Sequence, residues 1–310
     1  MKYQLRHIVE YGLLRALVKA VNLLPYSGAL CLGWLCAGVS FALIGARRRE
    51  AARRVRTVFG DALPSKQVRR IIWLSWRNLL FTVVETARSG NMTRDWVRSV
   101  SDFDEANQRI RDYLGGGKGA ILVGPHMGSW ELAGVASHLC GVPIFSIAGR
   151  QRNPLVNTYL NLVREKAGIR IFVRGSSLMR TILRELRAGN VFAILTDVRM
   201  PTREMDVSFL GKTANVGGGM AAFAYHANVP IFPCITTRIG WNRHTFQVYD
   251  PIVPNPQNEK DQECRRLTQD VFNVLEKAIR DKPEQWFWYN KRWILEPLAV
   301  DAAAEADGAT

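Results

Sequence analysis

The hydrophobic pattern of this chain changes once, near residue 90, and that change limits the fold more than any other feature. Before it, apolar residues recur with helical spacing. The first twenty or so residues mix apolar positions with Lys2, Arg6, Arg15 and Lys19 and read as an amphipathic helix ending near Pro25. Residues 66–90 carry Val68, Ile71, Ile72, Leu74, Leu79, Leu80, Phe81, Val83 and Val84, with Trp73 and Trp76, and read as a second one. After the change, short apolar runs alternate with helical stretches. Strands are expected at 97–100, 119–123, 142–147, 170–173, 191–195, 231–237 and 245–249. Helices are expected at 104–114, 129–139, 154–167, 177–187, 217–226 and 259–280. Such alternation predicts an α/β fold with a mainly parallel central sheet flanked by helices. The expected organisation is an N-terminal helical, membrane-anchoring region over 1–90, an α/β domain over 91–297 and a small, acidic, disordered tail over 298–310.

The anchoring expectation rests on residues 27–45, an apolar stretch close to the roughly 20 residues that cross a bilayer. Arg47, Arg48, Arg49, Arg53, Arg54 and Arg56 follow at once. A membrane anchor, spanning or interfacial, with the arginines on the cytoplasmic side fits this order. A buried helix of a helical subdomain is the alternative. No cleavable leader pattern precedes the stretch. Over the whole chain 42 Lys+Arg exceed 27 Asp+Glu, a formal charge of +15, which implies an anionic partner. Nine tryptophans suit an interfacial protein, and no nucleic-acid-binding motif is present, so a membrane is expected and nucleic acid is not. Cys31, Cys36, Cys140, Cys234 and Cys264 show no C-x-x-C spacing and read as reduced packing thiols of a cytosolic environment.

One strand leads into chemistry. The run 120–123 is followed by Gly124-Pro125-His126-Met127-Gly128-Ser129-Trp130-Glu131. On a single helix His126 and Glu131 would point about 140° apart. With His126 at the strand end and Glu131 in the first helical turn, the carboxylate is favoured by the helix dipole and can hold one ring nitrogen. The other nitrogen is then free to take a proton. Folds of this kind place their sites at the carboxyl ends of strands, and the flanking glycines allow a substrate close approach. His7, His138, His226 and His244 lack such a setting and read as structural.

Other strand ends supply further candidates. Gly149-Arg150-Gln151-Arg152-Asn153-Pro154 opens a helix with two arginines suited to a phosphate or carboxylate. Asp197 follows the run 191–195, placed either for a site or to cap a turn. Gly217-Gly218-Gly219 opens a helix and offers backbone N–H groups to an anion or oxyanion, or is simply a tight start. Gly115-Gly116-Gly117-Lys118 precedes a strand instead of following one, and Gly119 stands where a phosphate loop needs Ser or Thr, so it reads as a turn.

These residues together resemble a known family. Gly124 to Glu131 resembles the H-x4-[DE] motif of glycerolipid acyltransferases and, more closely, the H-x-G-x-W-E form of the late lipid A (lauroyl/myristoyl) acyltransferases. Arg150 with Asn153-Pro154 resembles that family's R-x-x-x-N-P block, although Arg150 lies one residue nearer Asn153, so Arg150 and Arg152 compete for the role. Thr196-Asp197 and Val207-Ser208-Phe209-Leu210-Gly211-Lys212 resemble its D-x-D and V-x-F-F-G stretches, with Val198 and Arg199 where a second acidic position is common. Pro283-Glu284-Gln285-Trp286 through Lys291-Arg292-Trp293 resembles its closing block.

The resemblance implies an α/β fold like that of the glycerolipid acyltransferases and transfer of a fatty acyl chain to a hydroxyl of a phosphorylated glycolipid, a lipid A precursor. The implied donor is acyl carrier protein, or acyl-CoA. It further implies His126 as general base, Glu131 as its orienter, and substrate contacts from Arg150, Arg152, Asn153, Asp197, Gly128 and Gly211. No metal or cofactor is expected, and direct transfer is preferred because no serine or cysteine sits in a nucleophile elbow. The implied location is the bacterial inner membrane, with the catalytic domain on its cytoplasmic face. Rival readings are an acyl-CoA-dependent enzyme acting on another glycolipid, such as a phosphatidylinositol mannoside, and a non-catalytic basic membrane-binding protein.

Overall fold

The computed structural model describes residues 3–149, 151–173 and 177–298. Arg150 and the expected tail from 299 onward lie outside them. Four long helices come first: α1 (Leu5–Leu23), α2 (Tyr26–Leu43), α3 (Gly45–Phe59) and α4 (Ser65–Arg88). Pro25 and Pro64 stand just before α2 and α4, where a missing N–H costs nothing. Short helices α5 (Arg94–Val100), α6 (Phe103–Ala106) and α7 (Gln108–Leu114) lead to the α/β part.

The order there is β1 (Ala120–Gly124), α8 (Trp130–Leu139), β2 (Ile144–Ala148), α9 (Pro154–Lys166), β3 (Arg170–Val173), α10 (Leu178–Arg187) and β4 (Val191–Leu195). A hairpin of β5 (Met205–Phe209) and β6 (Lys212–Val216) follows, then α11 (Gly219–Ala227), β7 (Ile231–Ile239), β8 (Arg243–Val248) and α12 (Lys260–Asp281). The six-stranded sheet runs β3-β2-β4-β1-β7-β8. All neighbours are parallel except β7 and β8. The expected α/β fold with a mainly parallel sheet flanked by helices is the fold observed.

Strand alternation decides which helices cover which face. Ala120 and Leu122 of β1 point into a core built with Leu132, Val135 and Ala136 of α8. Ile121 and Val123 point the other way, toward α3, α4, α10, α11, α12 and the hairpin. The N-terminal helices therefore divide: α3 and α4 belong to the main core, whereas α2 buries only Ala29, Leu30, Gly33 and Ala37. Among the described residues, α2 is the one helix long and apolar enough to cross a membrane, and 22% of it is buried.

Two local expectations are corrected, and one further element is found. Residues 97–100 form part of helix α5 instead of a strand: the Thr93 hydroxyl accepts the N–H of Trp96 and caps the turn, and Val97 and Val100 are buried at i, i+3 spacing. The single helix expected over 104–114 breaks into α6 and α7 at Asn107, whose buried side chain donates to the Phe103 carbonyl at 2.7 Å. The β5–β6 hairpin was not expected. Its turn places Leu210 at φ 54° and Gly211 at φ 79°, the two left-handed residues of a type I′ turn, and leucine at the first of them conceals the signal.

Candidate active site

The sheet register brings together two residues distant in sequence. β1 and β4 are parallel neighbours, with Gly124 beside Leu195. Two residues beyond each, at the carboxyl end of the sheet, His126 and Asp197 stand side by side. Asp197 is 3% exposed and accepts three hydrogen bonds: from His126 Nδ1 at 2.7 Å, from the His126 main-chain N–H at 2.8 Å and from Trp286 Nε1 at 2.6 Å. A carboxylate can only accept, so Nδ1 carries the proton and Nε2 keeps its lone pair. Burial alone would lower the imidazole pKa; the Asp197 charge and hydrogen bond outweigh it and leave the value raised. Burial alone would raise the Asp197 pKa; the same pairing, with the Trp286 bond, leaves it lowered.

Glu131 does not hold the ring, which corrects the expected orienter. It stands in the first turn of α8, and its Oε1 accepts Arg164 Nη2 of α9 at 3.0 Å. The reason is topological: Asp197, two residues past the adjacent strand β4, meets the edge of the ring and takes the one nitrogen that needs an acceptor. The Glu131 charge still acts through space on His126, in the direction that raises its pKa.

The turn carrying His126 is clamped by the closing segment. Phe287 N–H donates to the His126 carbonyl at 2.9 Å, and Gly128 N–H donates to the Gln285 carbonyl at 3.0 Å. Met127 and Trp286 thereby form an antiparallel bridge. Gly128 has φ 60°, and a Cβ there would lie 2.3 Å from the Thr236 carbonyl oxygen, so only glycine fits. Arg54 of the basic run is also structural: 3% exposed, it donates to the carbonyls of Trp288 and Asn290 at 2.9 and 2.8 Å and pairs with Glu50.

A cavity of about 500 Å³ opens beside His126. It lies on the α8 face of the sheet, between Leu122, Ile144, Ser146 and Ala193 of the strands and Ala133, Gly134 and Ser137 of α8. Small residues on both walls leave the space. Trp130, Glu131, Arg164, Gln151, Asn290 and Arg292 also line it, so polar and cationic groups sit together with an apolar interior. Cys234 lines it too, but burial raises its thiol pKa, and a neutral thiol is a poor nucleophile.

The other expected site residues divide. Arg150 is outside the described residues. Arg152 is exposed and Asn153 is the N-cap of α9, its Oδ1 accepting Leu155 N–H at 3.0 Å and its Nδ2 donating to the His7 carbonyl at 3.0 Å and to Glu10 at 2.9 Å. Neither lines the cavity, and neither do Gly211, in the hairpin turn, or Gly217 and Gly218, against Met200 and Met205. Arg164, Arg292 and the Trp286–Asp197 bond were not expected as site features. Trp286 lay within the closing block, but nothing local tied it to residue 197.

The chain is similar to known proteins. The model of the bacterial lipid A biosynthesis acyltransferases matches residues 1–294. A lipid A biosynthesis acyltransferase of Haemophilus influenzae is 24% identical over 176 residues, 56% of this chain and 52% of that protein. A phosphatidylinositol mannoside acyltransferase of Mycolicibacterium smegmatis is 24% identical over 188 residues, 59% of each. The chain thus matches somewhat over half the length of these curated relatives. Among solved structures, the 1-acyl-sn-glycerophosphate acyltransferase PlsC of Thermotoga maritima is 15% identical, covering 70% of this chain and 98% of that one, with a TM-score of 0.35.

Proposed function

Since this chain belongs to the bacterial lipid A biosynthesis acyltransferase family, we propose that it moves a fatty acyl chain from an acyl carrier protein thioester to a hydroxyl of a lipid A precursor. The observation that carries this reading is the His126–Asp197 pair, with His126 lining a cavity that has both apolar and cationic walls. Nε2 of His126 takes the hydroxyl proton as the oxygen attacks the thioester carbon. Asp197 fixes the tautomer and stabilises the imidazolium that forms. When the tetrahedral intermediate collapses, the C–S bond breaks and the leaving thiolate recovers the proton from the imidazolium. A positioned base of this kind contributes roughly 10²–10⁴-fold. The cavity takes the acyl chain, its apolar strand side chains replacing water around the methylenes. Glu131 holds Arg164 at the cavity wall and adds negative charge near the imidazolium, while Arg292 and Arg164 supply positive potential where the thioester oxygen gains charge.

The exposed leucines of α1 (Leu5, Leu13, Leu17) and the exposed Trp34, Leu35, Val39 and Leu43 of α2 seat the N-terminal region, residues 1–90, in the cytoplasmic face of the inner membrane. Anionic lipids and an acidic carrier protein meet the basic surface.

Transfer from acyl-CoA to a phosphatidylinositol mannoside is the second reading, favoured by a 24% identical relative of that description. Incubating the purified protein in vesicles with labelled acyl carrier protein and with labelled acyl-CoA, each with a lipid A precursor or a phosphatidylinositol mannoside, separates the two. Product with the first donor and acceptor only supports the first reading. Product with acyl-CoA and the mannoside only replaces it.

A further inference from the structure

Helix α4 carries a polar stripe where an amphipathic helix should be apolar. Ser75, Asn78, Thr82 and Glu85 recur at spacings of three and four and are all buried. The first three reach the backbone of the catalytic turn or of the segment clamping it, and Glu85 reaches a side chain of the turn. Ser75 Oγ donates to the Trp286 carbonyl at 2.5 Å and Asn78 Nδ2 to the Glu284 carbonyl at 3.3 Å. Thr82 Oγ1 donates to the Gly128 carbonyl at 3.2 Å. Glu85 accepts the hydroxyl of Ser129, the residue that opens α8 three positions after His126. That hydroxyl makes no cap bond to its own helix.

Glu85 is fully buried, and a buried carboxylate is costly unless every lone pair is used. Arg238 of β7 takes both its oxygens at 2.8 Å, and Tyr26 of α2 donates to Oε1 at 2.6 Å. His244 Nε2 of β8 lies 3.1 Å from the same oxygen. Burial would raise the carboxyl pKa, but Arg238 and His244 hold it well below the usual range, so it stays charged. Arg238 grips the turn by a second route: its main-chain N–H and carbonyl pair with the Gln285 amide at 3.0 and 3.1 Å, and the Gln285 carbonyl accepts Gly128 N–H. A core without function would be served as well by apolar residues on this face of α4. The polar stripe instead fixes the Gly128 carbonyl and the Ser129 hydroxyl.

We infer that Glu85 is a positioning residue for His126, acting through Ser129 to set the catalytic turn against the sheet. This rests on His126 being the base. Glu85→Gln leaves Arg238 short of its partner and risks unfolding, so the decisive variant is Ser129→Ala. Val84→Ala serves as the control: it cuts an apolar contact on the same helix and has no polar link to the turn. Three properties of the full-length protein in vesicles are compared: melting temperature, the separate kcat and KM of acyl transfer, and the substrate-free ¹⁵N titration of the His126 imidazole, identified by its loss in His126→Ala.

For Ser129→Ala we expect kcat to fall about tenfold or more with KM within about twofold, and the His126 midpoint to move by about 0.3 or more. Val84→Ala should leave both near wild type at a comparable loss of melting temperature. Wild-type kcat and an unmoved His126 midpoint in Ser129→Ala overturn the inference. Transfer by His126→Ala overturns the base reading instead, and the titration still reports whether Glu85 positions the ring.

Discussion

The carboxylate of Asp197 accepts both the ring Nδ1–H of His126, at 2.7 Å, and the main-chain N–H of the same residue, at 2.8 Å. Ring and backbone are thus held by one group, so neither the imidazole plane nor the turn can rotate independently. Asn at 197 keeps the shape and removes the charge. We expect Asp197→Asn to lower kcat by roughly 10²–10⁴-fold with little change in KM. Steady-state kinetics check this.

The pH profile follows from the same pair. The base proposed at His126 works only when neutral, and the imidazole pKa is raised in the folded protein. The acidic limb of kcat/KM is therefore expected above about 6.5, the ordinary histidine value, with activity gained as pH rises through it. Removing the Asp197 charge takes away what raises the pKa, so the limb of Asp197→Asn should move to lower pH. A limb unmoved by that substitution would show that another group controls it.

Glu131 and Arg164 are expected to behave as a pair distinct from the base. Glu131→Gln removes the charge from the 3.0 Å bond to Arg164 but leaves the ring bonds of His126 in place. We expect roughly a 10–100-fold loss in kcat/KM, with a smaller shift of the acidic limb than Asp197→Asn causes. A double-mutant cycle with Arg164→Gln should show strong coupling, since each substitution removes the other's charged partner.

Gly128→Ala tests the turn itself. A methyl group there meets the Thr236 carbonyl oxygen at 2.3 Å in a left-handed backbone conformation. We expect destabilisation of about 3 kcal/mol or more, read as a lower denaturant midpoint, with loss of activity. A wild-type midpoint would mean the strand carrying Thr236 can retreat.

The proposed membrane seating rests on exposed apolar side chains. Leu13 is 68% exposed and Leu17 41% on α1, while Leu35 is 56% and Val39 66% on α2. Introducing Glu at either pair should cut sedimentation with anionic phospholipid vesicles by about tenfold or more, because a charge replaces buried methylenes. Equal sedimentation of wild type and both variants would place the contact elsewhere.

Much of this site could be read from residues close together in the chain. The strand, turn and helix around His126 are local, so their chemistry was visible in eight consecutive residues. Asp197 was visible as an acid at a strand end. Its partnership was not, because it depends on β1 and β4 being neighbours although 71 residues separate the two side chains. Glu131 was the nearer carboxylate in sequence and the wrong one in space. The same limit hid Trp286, 89 residues from Asp197, and the Glu85 cluster, whose His244 read as structural but with no partner in view. Local ambiguity explains the rest: valines at i, i+3 in α5 suit a strand or a helix, and Leu210 occupies a turn position that normally announces itself with Asn or Gly.

The most direct test is transfer itself. Purified wild-type and His126→Ala proteins, both checked for folding, are incubated in vesicles with acyl carrier protein bearing a labelled fatty acid and a lipid A precursor, and the lipids are weighed by mass spectrometry. Wild type should add the mass of one acyl chain to the precursor, and His126→Ala should add none above the uncatalysed level. Acylated product from His126→Ala at the wild-type rate would contradict the assignment of His126 as the base.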